Sequence, residues 1–188
     1  SAQVVQFNER VCVLADFSSD LVTLEAAIWG ARASGATSLH TALYVALKEL
    51  KSGERRGLRR RAVVLLSDGD DTSSAVTEEQ VLDLAGRSDV NVYAVSIQTR
   101  PPSEGARPEH DRSIHFLTRR SRQTGGQHHV AAALSELEPI YDRIMEELRT
   151  LYTIGYVSRN ERRDGKWRRI VVLAPGLPAR TSPVICSI

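Results

Sequence analysis

Two uninterrupted apolar runs, AVVLL (Ala62 to Leu66) and NVYAVSI (Asn91 to Ile97), constrain this chain more than any other feature. A strand with one face in water alternates apolar and polar residues, whereas a strand covered on both faces does not. Two such runs with a helix-periodic stretch between them predict a parallel sheet. A parallel neighbour needs a long crossover, and the crossover helices cover the sheet. The intervening helix carries its own start signal: Thr77 and Gln80 have the spacing of a capping box, which opens a helix predicted through Arg87.

The flanking segments extend the pattern. VVQFN (Val4 to Asn8) and RVCVLADF (Arg10 to Phe17) are β-rich and almost contiguous, which predicts a hairpin. From an N-cap at Asp20, apolar residues recur at Leu21, Leu24, Ala27, Ile28 and Ala31, the spacing of an amphipathic helix that ends by Ser34-Gly35. A second helix buries Leu39, Ala42, Leu43, Ala46, Leu47 and Leu50, and Gly53 stops it. After NVYAVSI come a loop from Thr99 to Arg112, a helix from Ser113 to Thr124 closed by Gly125-Gly126, a short strand from Gln127 to Val130, and a helix from Leu134 to Arg149. Leu151 to Ser158 and Trp167 to Ala174 are β-rich and joined through Asp164-Gly165, a hairpin-turn pair, and Pro183 to Ile188 adds a last short run. The expected fold is α/β: a doubly wound, mostly parallel sheet flanked by helices, with a C-terminal antiparallel extension. Residues 1–150 form the core and 151–188 a hairpin extension of the same domain.

At 188 residues the chain fits one domain with one substantial core. Nowhere does it approach the roughly 18 consecutive apolar residues of a spanning helix. SAQVVQFNER shows no basic region followed by an apolar core. A net charge of +2 is too balanced for a nucleic-acid footprint. The cluster Arg55, Arg56, Arg59, Arg60 and Arg61 contains no aromatic residue for base stacking and reads as a solvated loop. Cys12 and Cys186 match no zinc spacing, and each sits in a strand-like run as a small buried hydrophobe.

In open parallel sheets ligands bind beyond the carboxyl ends of the strands, where the loops diverge. Asp68 stands there, two residues past Leu66, followed by Gly69 for a tight turn, with Asp70 and Asp71 as further oxygen donors. Hard divalent cations choose carboxylate, hydroxyl and water oxygens. Thr37, in Gly35-Ala36-Thr37 between two helices, offers a hydroxyl near the same crevice. Taken alone, each string reads equally as a polar turn or a helix cap. Other candidates are bland. His128 and His129 point to opposite faces of a strand, and His40, His110 and His115 are isolated. There is no HExxH, nucleophile elbow or phosphate-binding loop. Trp29, Trp167, Tyr152 and Tyr156 read as packing residues.

In order and spacing, VVQFN, GATSLHTAL, VVLLSDGDDTSS and NVYAVSI resemble the von Willebrand factor type A domain, and the string from Gly125 through Val172 looks like the C-terminal half of bacterial relatives. That resemblance implies a non-catalytic, protein-binding module. In the family a metal-ion-dependent adhesion site holds a divalent cation (Mg2+, or Mn2+ or Ca2+) by three loops, and a carboxylate of the protein ligand commonly completes the shell. Thr37 matches the second-loop threonine and Asp68 the third-loop aspartate. The first loop, Asp-x-Ser-x-Ser, has no counterpart. Asp16 to Asp20 and Asp70 to Ser74 look similar but sit in the wrong loops, and the former fits a helix cap. The family's first strand is central, between the strands resembling Val4–Asn8 and Ala62–Leu66. The expectation is therefore an N-terminally truncated domain with exposed strand edges and helix faces, and weak or absent metal binding in this chain. The resemblance also points to an exported or periplasmic setting. The competing readings are a structural scaffold without a working metal site and a metal-dependent phosphoryl-transfer or hydrolytic α/β enzyme.

Overall fold

The computed structural model describes residues 1–52, 60–97 and 108–151, and of 108–113 the backbone alone. The chain opens with β1 (Ala2–Phe7) and β2 (Val11–Ser18), paired antiparallel as a hairpin, then α1 (Leu21–Gly30) and α2 (Leu39–Ser52). β3 (Arg61–Leu66), α3 (Glu78–Gly86), β4 (Val90–Ile97), α4 (Pro108–Gln123) and β5 (His128–Ala131) follow. A single 3-10 turn (Leu134–Glu136) then leads into α5 (Leu137–Thr150). β3, β4 and β5 make a parallel three-stranded sheet in that order, flanked by helices.

β4 is the best-covered strand, and its side chains explain why. Val90 and Val92 join Leu43 and Leu47 of α2 and Val81 and Ala85 of α3 in one cluster. Ala94 joins Leu39, Leu65, Phe116 and Leu117 in a second. The alternate residues Tyr93 and Val95 pack with Ile144 of α5. Two-residue alternation therefore sends one set to α2, α3 and α4 and the other to α5.

β3 departs from the expectation that both its faces are covered. Leu65 is buried, but Val64 is 43% and Leu66 47% exposed. By register Val64 and Leu66 stand beside Tyr93 and Val95, on the α5 face. α5 covers β4 there and reaches Ala62, but leaves the end of β3 open. Among the described residues no strand pairs with the other edge of β3, and β1–β2 forms a separate sheet.

α1 also differs from the sequence pattern. Asp20 caps it as expected, accepting from the backbone N–H groups of Val22 and Thr23, yet none of its residues is fully buried. Apolar residues lie all around this helix, so their spacing marks no single face. Leu24 and Ala27 are half-buried, whereas Trp29 is 82% exposed and no packing residue. Cys12 is likewise exposed rather than a buried hydrophobe.

Other boundaries follow local chemistry. The capping box of Thr77 and Gln80 is present and starts α3. α4 begins at Pro108, five residues before the helix expected from Ser113, with proline in the first turn where its missing N–H costs nothing. Arg60 donates to the carbonyls of Leu148 and Arg149 at 3.0 and 2.7 Å, satisfying acceptors at the C-terminal end of α5. No helix among the described residues is long and apolar enough to cross a membrane. The expected C-terminal hairpin and Cys186 lie outside the described residues, as do Gly53, Arg55, Arg56, Arg59 and the loop at 98–107.

Candidate functional site

Three segments converge around the carboxyl end of β3: the hairpin turn Asn8–Arg10, the approach to α2 at Gly35–Ser38, and the loop from Ser67 to Ala75. The ladder runs one residue beyond β3, where the Ser67 N–H donates to Val95 O at 3.1 Å. The chain then turns through Gly69, whose φ is +92°. The Ser67 hydroxyl accepts from Gly69 N–H at 3.1 Å, and Asp68 Oδ1 accepts from Asp70 N–H at 3.2 Å. These bonds hold the turn while the Asp68 side chain stays exposed.

Thr37 is half-buried and held through its backbone. Its N–H donates to the Thr72 hydroxyl at 2.8 Å, and its carbonyl accepts from Thr72 and Ser73 N–H at 2.9 and 3.1 Å. Among the described residues nothing hydrogen-bonds the Thr37 hydroxyl itself. Ser38 ties in the hairpin: its N–H donates to Asn8 O at 2.8 Å, and its hydroxyl lies 2.8 Å from the Ser73 hydroxyl and 3.2 Å from Glu9 O.

Asp71, read from sequence as a further oxygen donor, is committed elsewhere. Its Oδ1 accepts from His40 N–H at 3.2 Å and from the Ser74 hydroxyl at 2.6 Å, and its Oδ2 lies 3.1 Å from His40 Nδ1. Ser74 Oγ accepts from Thr41 N–H at 3.0 Å, and Thr41 Oγ1 accepts from Ala75 N–H at 3.1 Å. The amides of His40 and Thr41 are first-turn donors with no partner inside α2, so the loop from Asp71 to Ser74 caps that helix from across the fold. A carboxylate at this end also complements the helix dipole. The serine-rich string resembling a first metal loop is therefore a clamp between two loops.

His40 is not isolated, contrary to its sequence reading. Its ring lies 4.6 Å from that of Phe116, and the Arg120 guanidinium stands 4.6 Å over the other part of that contact, the Phe116 ring. Arg120 is buried and pairs with Glu78 at 2.6 Å. Burial lowers its pKa to about 10, against the raising effect of Glu78.

Sequence reasoning also passed over Glu9. Gly35 has φ +68°, a conformation that favours glycine, and the exposed Glu9 side chain lies against it, its Oε1 2.8 Å from where a Cβ would stand. Glu9 has no motif around it; the clue lies in the fold alone. Even so, among the described residues no group of three or more His, Cys, Asp or Glu side chains is placed to hold a metal ion.

His128 and His129 do diverge. His128 Nε2 is 2.8 Å from the Ser96 hydroxyl and its Nδ1 is 2.9 Å from the Thr118 hydroxyl, while His129 is buried. Burial, and then His129, lower the His128 pKa. Ser96 is only 5% exposed, so this chain of polar groups ties α4 to the sheet.

Residues 1–70 match the family model described as the von Willebrand factor type A domain. This N-terminal part of the chain is similar to that family. The matched part spans the hairpin, α1, α2 and β3 and ends at Asp70, so it includes Thr37 and Asp68. A search of curated proteins finds no match. Among solved structures, an uncharacterized membrane spanning protein from Vibrio fischeri is 21% identical, with 77% of this chain and 74% of that one covered. Its TM-score of 0.39 is too low for the likeness to carry an argument.

Proposed function

We propose that this chain is part of a non-catalytic, protein-binding domain whose binding surface lies at the carboxyl end of β3. One observation carries the reading. The segments bearing Thr37 and Asp68 are zipped together by backbone and loop hydrogen bonds, while the Thr37 hydroxyl takes no part and the exposed Asp68 carboxylate accepts only locally, from Asp70 N–H. Both are hard oxygen donors of the kind Mg2+, Mn2+ or Ca2+ take. Two donors, one of them neutral, fall short of a six-oxygen shell, so metal binding by these residues alone is weak at most. A full shell would need further oxygens, such as a protein ligand's carboxylate or an Asp-x-Ser-x-Ser segment of the kind the similar family carries. The buried Ser96–His128 contact gives no support to a hydrolytic enzyme, because its hydroxyl is closed to substrate.

The test is calorimetric titration of Mn2+ into the chain preceded by an apolar strand ending in Asp-x-Ser-x-Ser. Binding is expected there, and Asp68→Ala should weaken it about tenfold or more, the scale on which metal sites respond to losing a supporting group. No binding in the extended chain, or equal binding by Asp68→Ala, would leave a scaffold without a metal site.

A further inference from the structure

The geometry points to Asp71 as the positioning residue that fixes the Thr37 segment against the loop that follows Asp68 before any ligand arrives. The proposal rests on the reading of Thr37 and Asp68 as the binding pair. Asp71 follows Asp68 by three residues, yet its carboxylate faces away into the fold, where three contacts at 3.2, 2.6 and 3.1 Å join it to His40 N–H, Ser74 Oγ and His40 Nδ1. Its side chain is only 16% exposed, and that of His40 17%. His40 in turn is held by the Phe116 ring, which lies beneath buried Arg120. The anchor therefore reaches from the loop through α2 to α4.

The consequence is mechanical. α2 starts at Leu39, two residues after Thr37. Fixing the His40 and Thr41 amides fixes the direction in which residues 37 and 38 leave the helix. The same loop then grips Thr37 directly through Thr72 and Ser73. Asp71 supplies the only charge among these loop-to-helix acceptors, and hydrogen bonds to charged groups are the stronger kind. It works as a helix cap and an inter-loop tie at once, and it donates no oxygen to a ligand.

Amide hydrogen exchange on the 15N-labelled chain, without metal, tests this directly. Asp71→Ala is expected to speed exchange at Thr37, His40 and Thr41 by roughly 10- to 100-fold, with Val81 and Val92 unchanged. Thr37 is the informative probe, because its own N–H bonds Thr72 and not Asp71. Unchanged exchange at Thr37 overturns the proposal. Where Asp71→Ala loses protection throughout, Asp71→Asn takes its place. Asparagine keeps an acceptor but loses the charge, so a few-fold acceleration at the same amides is expected, and none overturns the proposal.

Mn2+-induced line broadening then separates this proposal from the one beneath it. In the wild type, Thr37 and residues 68–70 should broaden together, and in Asp71→Ala residues 68–70 should broaden without Thr37. Broadening centred on Asp71, with exchange untouched by Asp71→Asn, would make it a ligand and overturn the positioning role. Absence of broadening in the wild type would count only against metal binding by Thr37 and Asp68 alone, and the exchange result still decides the tie.

Discussion

At Gly126 an added Cβ would stand 2.0 Å from the carbonyl oxygen of Val92 and 2.7 Å from its carbonyl carbon. Neither atom can step aside, since Val92 lies in the buried middle of β4. Gly126→Ala is therefore expected to destabilise the chain by about 1–3 kcal/mol or more, read as a lower midpoint in urea unfolding with an unchanged slope. From the sequence, Gly125-Gly126 reads as a helix stop, and the two glycines turn out to divide the work. Gly125 takes the left-handed turn, at φ +80°, while Gly126 makes room for a strand. The first role is local and legible; the second depends on a residue 34 positions away. The same divide runs through the candidate site. Asp20 and Thr77 were legible as caps because each bonds amides two or three residues on. Asp71 and Ser74 do the same job for α2 across more than thirty residues of sequence, and no local rule finds them.

Elements show what a run of apolar residues does and does not say. AVVLL and NVYAVSI read alike, and both are parallel strands in register. Coverage separates them, because it depends on how far α5 extends and on what lies beside β3. Leu65 and Leu66 make the contrast measurable within one strand. Leu65, 6% exposed, packs with Leu39 and Phe116, so Leu65→Ala should cost about 2–5 kcal/mol. Leu66, 47% exposed, should cost less than about 1 kcal/mol on the same change. Thermal or urea unfolding of the two variants checks this, and equal losses would mean that another segment covers Leu66 in solution. α1 teaches the same lesson. Its cap was legible, but the apolar face expected from Leu21, Leu24, Ala27, Ile28 and Ala31 was not found: Leu21, Val22, Ile28 and Trp29 are all exposed.

At the scale of the whole molecule, α4 is fastened to the sheet through His128, between Ser96 and Thr118. Burial lowers the His128 pKa, so the folded chain takes up a proton there less readily than the unfolded chain. Unfolding then binds protons, and stability must fall as pH drops below the ordinary histidine value of about 6.5. Above that value the contribution is complete. Glu79 and Asp20 have lowered pKa values through their helix-start hydrogen bonds, and their contributions disappear only in a more acidic window. A thermal midpoint measured from pH 7.5 to 5 should decline, and His128→Gln should flatten that upper part while leaving the acid limb. A decline of the same size in the variant would assign it to other groups. The α/β class, the order of elements and the family likeness were all legible at this scale. The division of the strands into two sheets was not readable from periodicity, which carries no information about neighbours.

That division bears on how the chain comes apart. The hairpin β1–β2 and the sheet β3–β4–β5 share no ladder among the described residues, and an isolated two-stranded hairpin is only marginally stable in water. The hairpin is tied to the rest by Asn8 and Glu9 reaching Ser38 at the head of α2 and by Phe7 packing against the cluster of Leu39, Leu65 and Phe116. Such a structure is expected to open in stages, the hairpin and α1 before the sheet with α2, α3 and α4. The contacts around Ser38 are the seam between them. A binding surface laid across a seam would be stiffened by whatever docks there, so a partner's grip would register as cooperativity in unfolding as well as affinity.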